Sequence, residues 1–272
     1  MLNPLASSAL LVSSFCGVMA GLIALQRHCR PHPELMRKLV HLGMGLVALS
    51  LPWLFANTWS VVVLTCVFVL LLTGLRVLPR LRIHLGSPIH GVDRKSLGDI
   101  YFALGVGGLF LLSSGDPLLF CIPVLILTLA DTAASLTGLY YGRLPYVFVR
   151  AEKSIEGSLA FFFSAFLSAQ TALLLFTEIG RGEILLSALA LGLSLTLVEA
   201  LADNGLDNLL IPLAGLLLLK AYLAMDLVAL AVHVAAALFL TSFALFWLRR
   251  RLIRQPGLRL SALSPAKGQF GA

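Results

Sequence analysis

Four groups of polar residues interrupt an otherwise apolar chain, and each brings charge where a membrane helix would exclude it. Arg37, Lys38 and His41 stand within one helical turn, so one face can carry two cations and an imidazole. Such a face either anchors a helix at the membrane surface, its long side chains snorkelling to water, or holds a phosphate. His41 lies one turn inside an apolar run, which favours a polar partner for it. Asp131 interrupts Ile126-Leu127-Thr128-Leu129-Ala130, and Ala134, Gly138 and Gly142 follow it at fourfold spacing. A smooth stripe of that kind packs helices closely, but packing does not account for the acid. Downstream, Lys153-Ser154-Ile155-Glu156-Gly157-Ser158 offers an ammonium, two hydroxyls and backbone N–H groups at a helix start, a combination suited to phosphate. It is not a Walker A loop. Finally, Glu199, Asp203 and Asp207 recur at fourfold spacing beside Asn204 and Asn208, in a segment without Lys or Arg. A helix cap would use one of these acids. Three of them call for a cation, and oxygen ligands of this type suit Mg²⁺, which commonly takes one or two carboxylates plus nucleotide phosphates.

The elements that must position these groups are membrane helices. Of the 272 residues, 59% are hydrophobic and 12% charged, about half the charge of a soluble domain, and the mean hydropathy is +0.96. Nine apolar runs can be read: Leu5 to Leu25, Leu39 to Phe55, Trp59 to Leu78, Ile100 to Leu112, Leu118 to Leu139, Leu159 to Phe176, Ile184 to Leu201, Leu209 to Leu219 and Leu227 to Leu248. The expected fold is an all-α, polytopic transmembrane helical bundle of about nine spans. One integral-membrane domain fills residues 1–254, and a disordered cytoplasmic tail follows over 255–272. The first run has no basic segment before it and reads as a span rather than a signal peptide. Cys16, Cys29, Cys66 and Cys121 form no C-x-x-C pair and read as ordinary buried thiols.

Charge placement gives an orientation. All of the 20 Lys and Arg except Arg181 and Lys220 fall after odd-numbered runs, on one side of the bilayer. That side is expected to be the cytoplasm, leaving the N-terminus outside. The same bias explains the net charge of +7 without a nucleic-acid partner. With this topology the polar groups converge on the cytoplasmic ends of the helices, where Arg94, Lys95 and Asp99 add to them. Basic groups, acids able to hold a divalent cation and surrounding lipid together suggest phosphoryl transfer to a lipid, a reaction that needs positioning and charge neutralisation above all. A transporter would also use intramembrane acids and glycine-broken helices, but with its polar groups near mid-membrane.

Three segments, in order, also resemble a known family. Asp131-x-x-Ala134-x-x-x-Gly138-x-x-x-Gly142 followed by Lys153-Ser154-x-Glu156-Gly157 is similar to the nucleotide-binding signature of the dolichol kinase and phytol kinase family. These are CTP-using lipid-alcohol kinases, distantly related to phosphatidate cytidylyltransferases. Glu34-x-x-Arg37-Lys38-x-x-His41 and Glu199 with Asp207-Asn208-Leu209-x-x-Pro212 resemble its other two elements. The resemblance implies a CTP donor, Mg²⁺ and a membrane lipid alcohol as acceptor. It implies Asp131, Glu199, Asp207 and Asn208 as metal-linked groups and Arg37, Lys38, Lys95, Lys153, Ser154 and Glu156 as nucleotide contacts. Gly138, Gly142 and Gly157 would allow close backbone approach to the nucleotide. The base that accepts the hydroxyl proton is left open between Asp131 and His41. The short chain resembles the phytol kinase branch more than the longer dolichol kinases. A diacylglycerol kinase or a cytidylyltransferase on the same scaffold remains an alternative, and no oligomeric state is implied.

Overall fold

Turn chemistry sets where the helices begin. Asn3, His32 and Asp116 each present a side-chain acceptor to the first turn of a helix that opens on proline, giving α1 (Pro4–Cys29), α2 (Pro33–Ala48) and, further on, α6 (Pro117–Tyr141). Proline at the first helical position loses no hydrogen bond and is preset for the helix. The structure, a computed structural model, describes residues 3–77, 97–148 and 152–254. A short α3 (Leu51–Leu54) follows α2, then α4 (Thr58–Val77) and α5 (Gly98–Leu112). After α6 the chain forms an antiparallel hairpin, β1 (Pro145–Val147) and β2 (Glu152–Ser154), the one departure among the described residues from an all-helical fold. Four helices complete the chain: α7 (Ile155–Phe176), α8 (Arg181–Leu201), α9 (Asp207–Leu223) and α10 (Leu227–Arg254).

Each apolar run falls on a helix, and together they make a multi-pass membrane protein. Among the described residues, six helical stretches are long and apolar enough to cross a membrane: Pro4–Cys29, Pro33–Leu54, Pro117–Tyr141, Ile155–Phe176, Arg181–Leu201 and Leu227–Trp247. Thr58–Gly74 and Gly98–Leu112 are apolar but shorter. At 1.5 Å per residue the 15 residues of α5 rise about 22 Å, less than the roughly 30 Å hydrocarbon core.

Helix α6 is the hub. It packs against α2, α7 and α9, while α8 bridges α7, α9 and α10, and α5 joins α4 to α9. Phe120, Ile122, Ile126 and Leu127 of α6, Phe161 and Leu173 of α7, Leu191 and Leu195 of α8, and Ile211 and Leu216 of α9 are fully buried between these helices. The outer helices turn their apolar faces outward, and this corrects the reading of the cysteines: Cys16, Cys29 and Cys66 are exposed and Cys121 is half-buried. On α1 and α4 these apolar faces are left uncovered by protein.

One close contact fixes the α5–α9 crossing. A Cβ on Gly105 would strike the Asn208 carbonyl and lie 3.3 Å from Leu209 Cα, both of them backbone that cannot swing aside. Gly105→Val should therefore destabilise the bundle by about 1–3 kcal/mol, whereas Gly17→Ala, with nothing within 4 Å of the added carbon, should cost nothing. Thermal unfolding of both variants in detergent checks this, and equal melting temperatures would contradict the packing described.

Candidate active site

Antiparallel connection brings the start of α2, the ends of α4 and α6, the hairpin, the end of α8 and the start of α9 to one end of the bundle. Cross-links between them are polar. Lys38 Nζ lies 2.6 Å from Asp131 Oδ2, and the two residues, on α2 and α6, are 2% and 4% exposed. His41 Nε2 is 3.5 Å from the same carboxylate oxygen and 3.3 Å from the Leu127 carbonyl, its ring set edge-on to Phe102. Thus a lysine and a histidine one turn apart both address a single acid. A buried ion pair survives only with good geometry and polar surroundings, and the imidazole lies alongside, held by the Leu127 carbonyl.

A second pair stands beside the first. Lys153 Nζ, from β2, donates to Glu199 Oε1 at 2.6 Å and to the Glu199 backbone carbonyl in the last turn of α8. A cation there also meets the negative end of the helix dipole. Glu199 Oε2 is buried without a hydrogen-bond partner, as is Asn208 Oδ1, whose amide nitrogen donates to the Gly98 carbonyl at 2.9 Å. Asp207 forms no ion pair among the described residues; its Oδ1 accepts the Asn208 backbone N–H at 2.9 Å. It interacts electrostatically with Asp131, Lys38 and Lys153, and Glu199 interacts with Asp131 and Asp207. Three carboxylates and two ammonium groups therefore lie within one another's electrostatic reach, with Arg37 at the edge.

The glycines and the hairpin hold these pairs in place. Ser154 caps α7, its Oγ accepting the Gly157 N–H at 3.1 Å. The stripe on α6 closes over this cap: a Cβ on Gly138 or Gly142 would come 3.1 Å from the Ser154 side chain, and one on Gly157 would lie 2.9 Å from the Ala134 carbonyl. In this arrangement the three glycines serve helix packing. Glu156 reaches back to accept the Leu144 N–H at 3.2 Å, which ties the turn after α6 to the start of α7. Tyr146 was missed from sequence. It is buried in β1 directly opposite Lys153, and its hydroxyl shares a 2.6 Å hydrogen bond with Ser158 Oγ. Burial, with the Glu199 charge adding to it, pushes this phenol up to about 12. The signal was an aromatic residue inside a basic loop, too common to single out.

Other expected residues lie apart. Arg37 is partly exposed and pairs with Glu34 at 2.5 Å, although the charges of Asp131 and Asp207 reach it. Asp99 pairs with Arg76. Asp203 turns its carboxylate onto Asn204 at a bend where Asn204 and Gly205 take positive φ, so neither it nor Asp207 caps α9. Arg94 and Lys95 fall outside the described residues, as does the tail. Among the described residues no three His, Cys, Asp or Glu side chains are grouped tightly enough to enclose a metal ion. One placement differs from the expected cluster at helix ends. Asp131 is ten residues from the end of α6 at Tyr141, about 15 Å, and the small-residue stripe that follows it packs against the start of α7.

The depth of the first pair changes what a substitution does. Asp131→Asn keeps the shape but strands a buried ammonium, so it destabilises the fold as well as the site. Removing one partner of such a pair costs about 3–5 kcal/mol. Lys38→Met should lower the melting temperature in detergent markedly, and Lys38→Met with Asp131→Leu should recover most of the loss while abolishing turnover. A double variant no more stable than the single would show that the pair is not the coupled unit described.

Comparison with known proteins bears on what such a site does. No family model and no solved structure matches the chain. The phytol kinase of Synechocystis sp. (strain ATCC 27184 / PCC 6803 / Kazusa) is 32% identical over 189 residues, 68% of this chain and 78% of that protein. The chain belongs to the phytol kinase family and is a phosphotransferase that acts on an alcohol.

Proposed function

We propose that the protein transfers the γ-phosphate of CTP to the hydroxyl of an isoprenoid lipid alcohol, phytol or a related prenol, at the polar end of the bundle. The observation that carries this reading is the pair of buried lysines, Lys38 and Lys153, set among three carboxylates at one end of the bundle. The relative acts on phytol by its name, which supports an acceptor of that class. The alcohol oxygen forms a bond to the γ-phosphorus as the bond from that phosphorus to the bridging oxygen breaks. CDP departs, and the hydroxyl proton passes to Asp131 or His41. Lys153 and Lys38, with Arg37 at the rim, neutralise the phosphates.

Two orphaned buried oxygens and an unpaired acid fit a hard cation. Glu199 Oε2 and Asn208 Oδ1 have no hydrogen-bond partner, and Asp207 forms no ion pair among the described residues. One or two of Asp131, Glu199, Asp207 and Asn208 would hold Mg²⁺, phosphates and water completing the shell as this ion commonly requires. When bound, it would screen the charge that builds on the phosphates. The basic bias supports nine crossings with the N-terminus outside, so that CTP reaches the site from the cytoplasm.

The test uses purified protein in detergent with Mg²⁺ and CTP labelled at the γ- or the α-phosphate, offered phytol, farnesol, a long polyprenol and diacylglycerol separately. Label from γ-labelled CTP should appear in one organic-phase prenyl phosphate, with CDP released, and Lys153→Ala should reduce it at least tenfold. Transfer to diacylglycerol alone, or movement of α-label to phosphatidate with pyrophosphate released, would replace this reading. No transfer of either label would overturn it.

A further inference from the structure

A hairpin of two three-residue strands has little stability of its own, yet it carries Lys153. Its hold on the bundle must come from what its side chains bury. In β1 only Tyr146 is buried; Pro145 is half-buried and Val147 is exposed. Tyr146 pairs across the ladder with Lys153, and residues directly opposite on two strands project to the same face. From that face each reaches a different helix: the phenol oxygen lies 2.6 Å from Ser158 Oγ in the first turn of α7, and Lys153 Nζ lies 2.6 Å from Glu199 Oε1 at the end of α8. The strand bearing the ammonium is thus held by the tyrosine opposite Lys153 and by Ser154 next to it, which caps α7. The backbone adds one tie on this side, Ile155 N–H to the Leu144 carbonyl at 3.0 Å, at the base of the hairpin rather than at the lysine.

We propose that Tyr146, through its hydrogen bond to Ser158, is a positioning residue that holds Lys153 where it meets the nucleotide phosphates. This rests on the reading of Lys153 as a phosphate contact and goes beyond it. The phenol hydroxyl is engaged by Ser158, and its contribution is the placement of the ammonium. Since the phenol keeps its proton well above neutral pH, the bond to Ser158 persists across the working range.

The experiment measures the Kd for CTP with Mg²⁺ by calorimetry on the full-length protein in detergent, alongside melting temperature and the KM for the lipid alcohol. Tyr146→Phe keeps the ring and loses the bond, so CTP binding should weaken about fivefold, the value of one neutral hydrogen bond. The alcohol KM should be unchanged. Ser158→Ala should weaken CTP binding equally, and Ser158→Thr, which keeps a hydroxyl, should restore it. In a Lys153→Ala background Tyr146→Phe should add nothing further. Wild-type CTP affinity in Tyr146→Phe, or a full fivefold loss on top of Lys153→Ala, would overturn the positioning role while leaving Lys153 as a phosphate contact. Unchanged affinity in Lys153→Ala alone would remove the reading on which the role rests.

Discussion

The ion pair between Lys38 and Asp131 is the constraint around which this bundle is arranged. Neither charge is tolerable alone so far from water, and together they hold only because α2 and α6 cross where the side chains meet at 2.6 Å with His41 alongside. That crossing places the first turns of α2 against the middle of α6. The small-residue stripe then lets α7 and the hairpin close over the rest of α6, and this in turn delivers Lys153 to Glu199. Each polar contact depends on the one before it, so the site is a property of the packing rather than of any one loop.

Charge accounting connects the arrangement to chemistry. Two ammonium groups face three carboxylates, and both ammonium groups are engaged by acids. On the proposed reading, nucleotide binding is an exchange of partners. The lysines turn part of their charge to the phosphates, and the acids so released find a divalent cation. Phosphoryl transfer needs little more from a protein than this positioning and neutralisation. The acceptor needs a lipid-facing approach, which a multi-pass bundle provides.

Much of this was legible in the sequence. The nine apolar runs all fall on helices, and Lys38, His41, Asp131, Lys153, Glu199, Asp207 and Asn208 do meet at one end, because charges in an apolar chain must find one another. Pairing was less legible. Nothing in the spacing told that Lys38 would answer Asp131 across 93 positions, or that Lys153 would take Glu199 rather than Glu156. Arg37, read as part of the same face as Lys38, turns outward to Glu34, since adjacent residues on a helix point about 100° apart. The glycines illustrate a different limit: their spacing suggests both nucleotide approach and packing, and only the position of Ser154 shows the packing contact they make. The cysteines misled because an apolar run does not tell which of its faces packs against protein. Tyr146 carries no pattern at all until the hairpin register is known.

The central claim of the proposed reading is that Asp207, an acid with no ion pair among the described residues, makes nucleotide binding depend on a divalent cation. The most direct measurement is the rise in melting temperature that CTP produces in detergent, with Mg²⁺ and with chelator, in the wild type and in Asp207→Asn. Ligand binding to the folded state stabilises it in proportion to the logarithm of occupancy. The account predicts a clear CTP-induced rise with Mg²⁺ that chelator removes in the wild type, and little difference between the two conditions in Asp207→Asn. Equal stabilisation by CTP with and without Mg²⁺ in the wild type, or full Mg²⁺ dependence retained in Asp207→Asn, would contradict it.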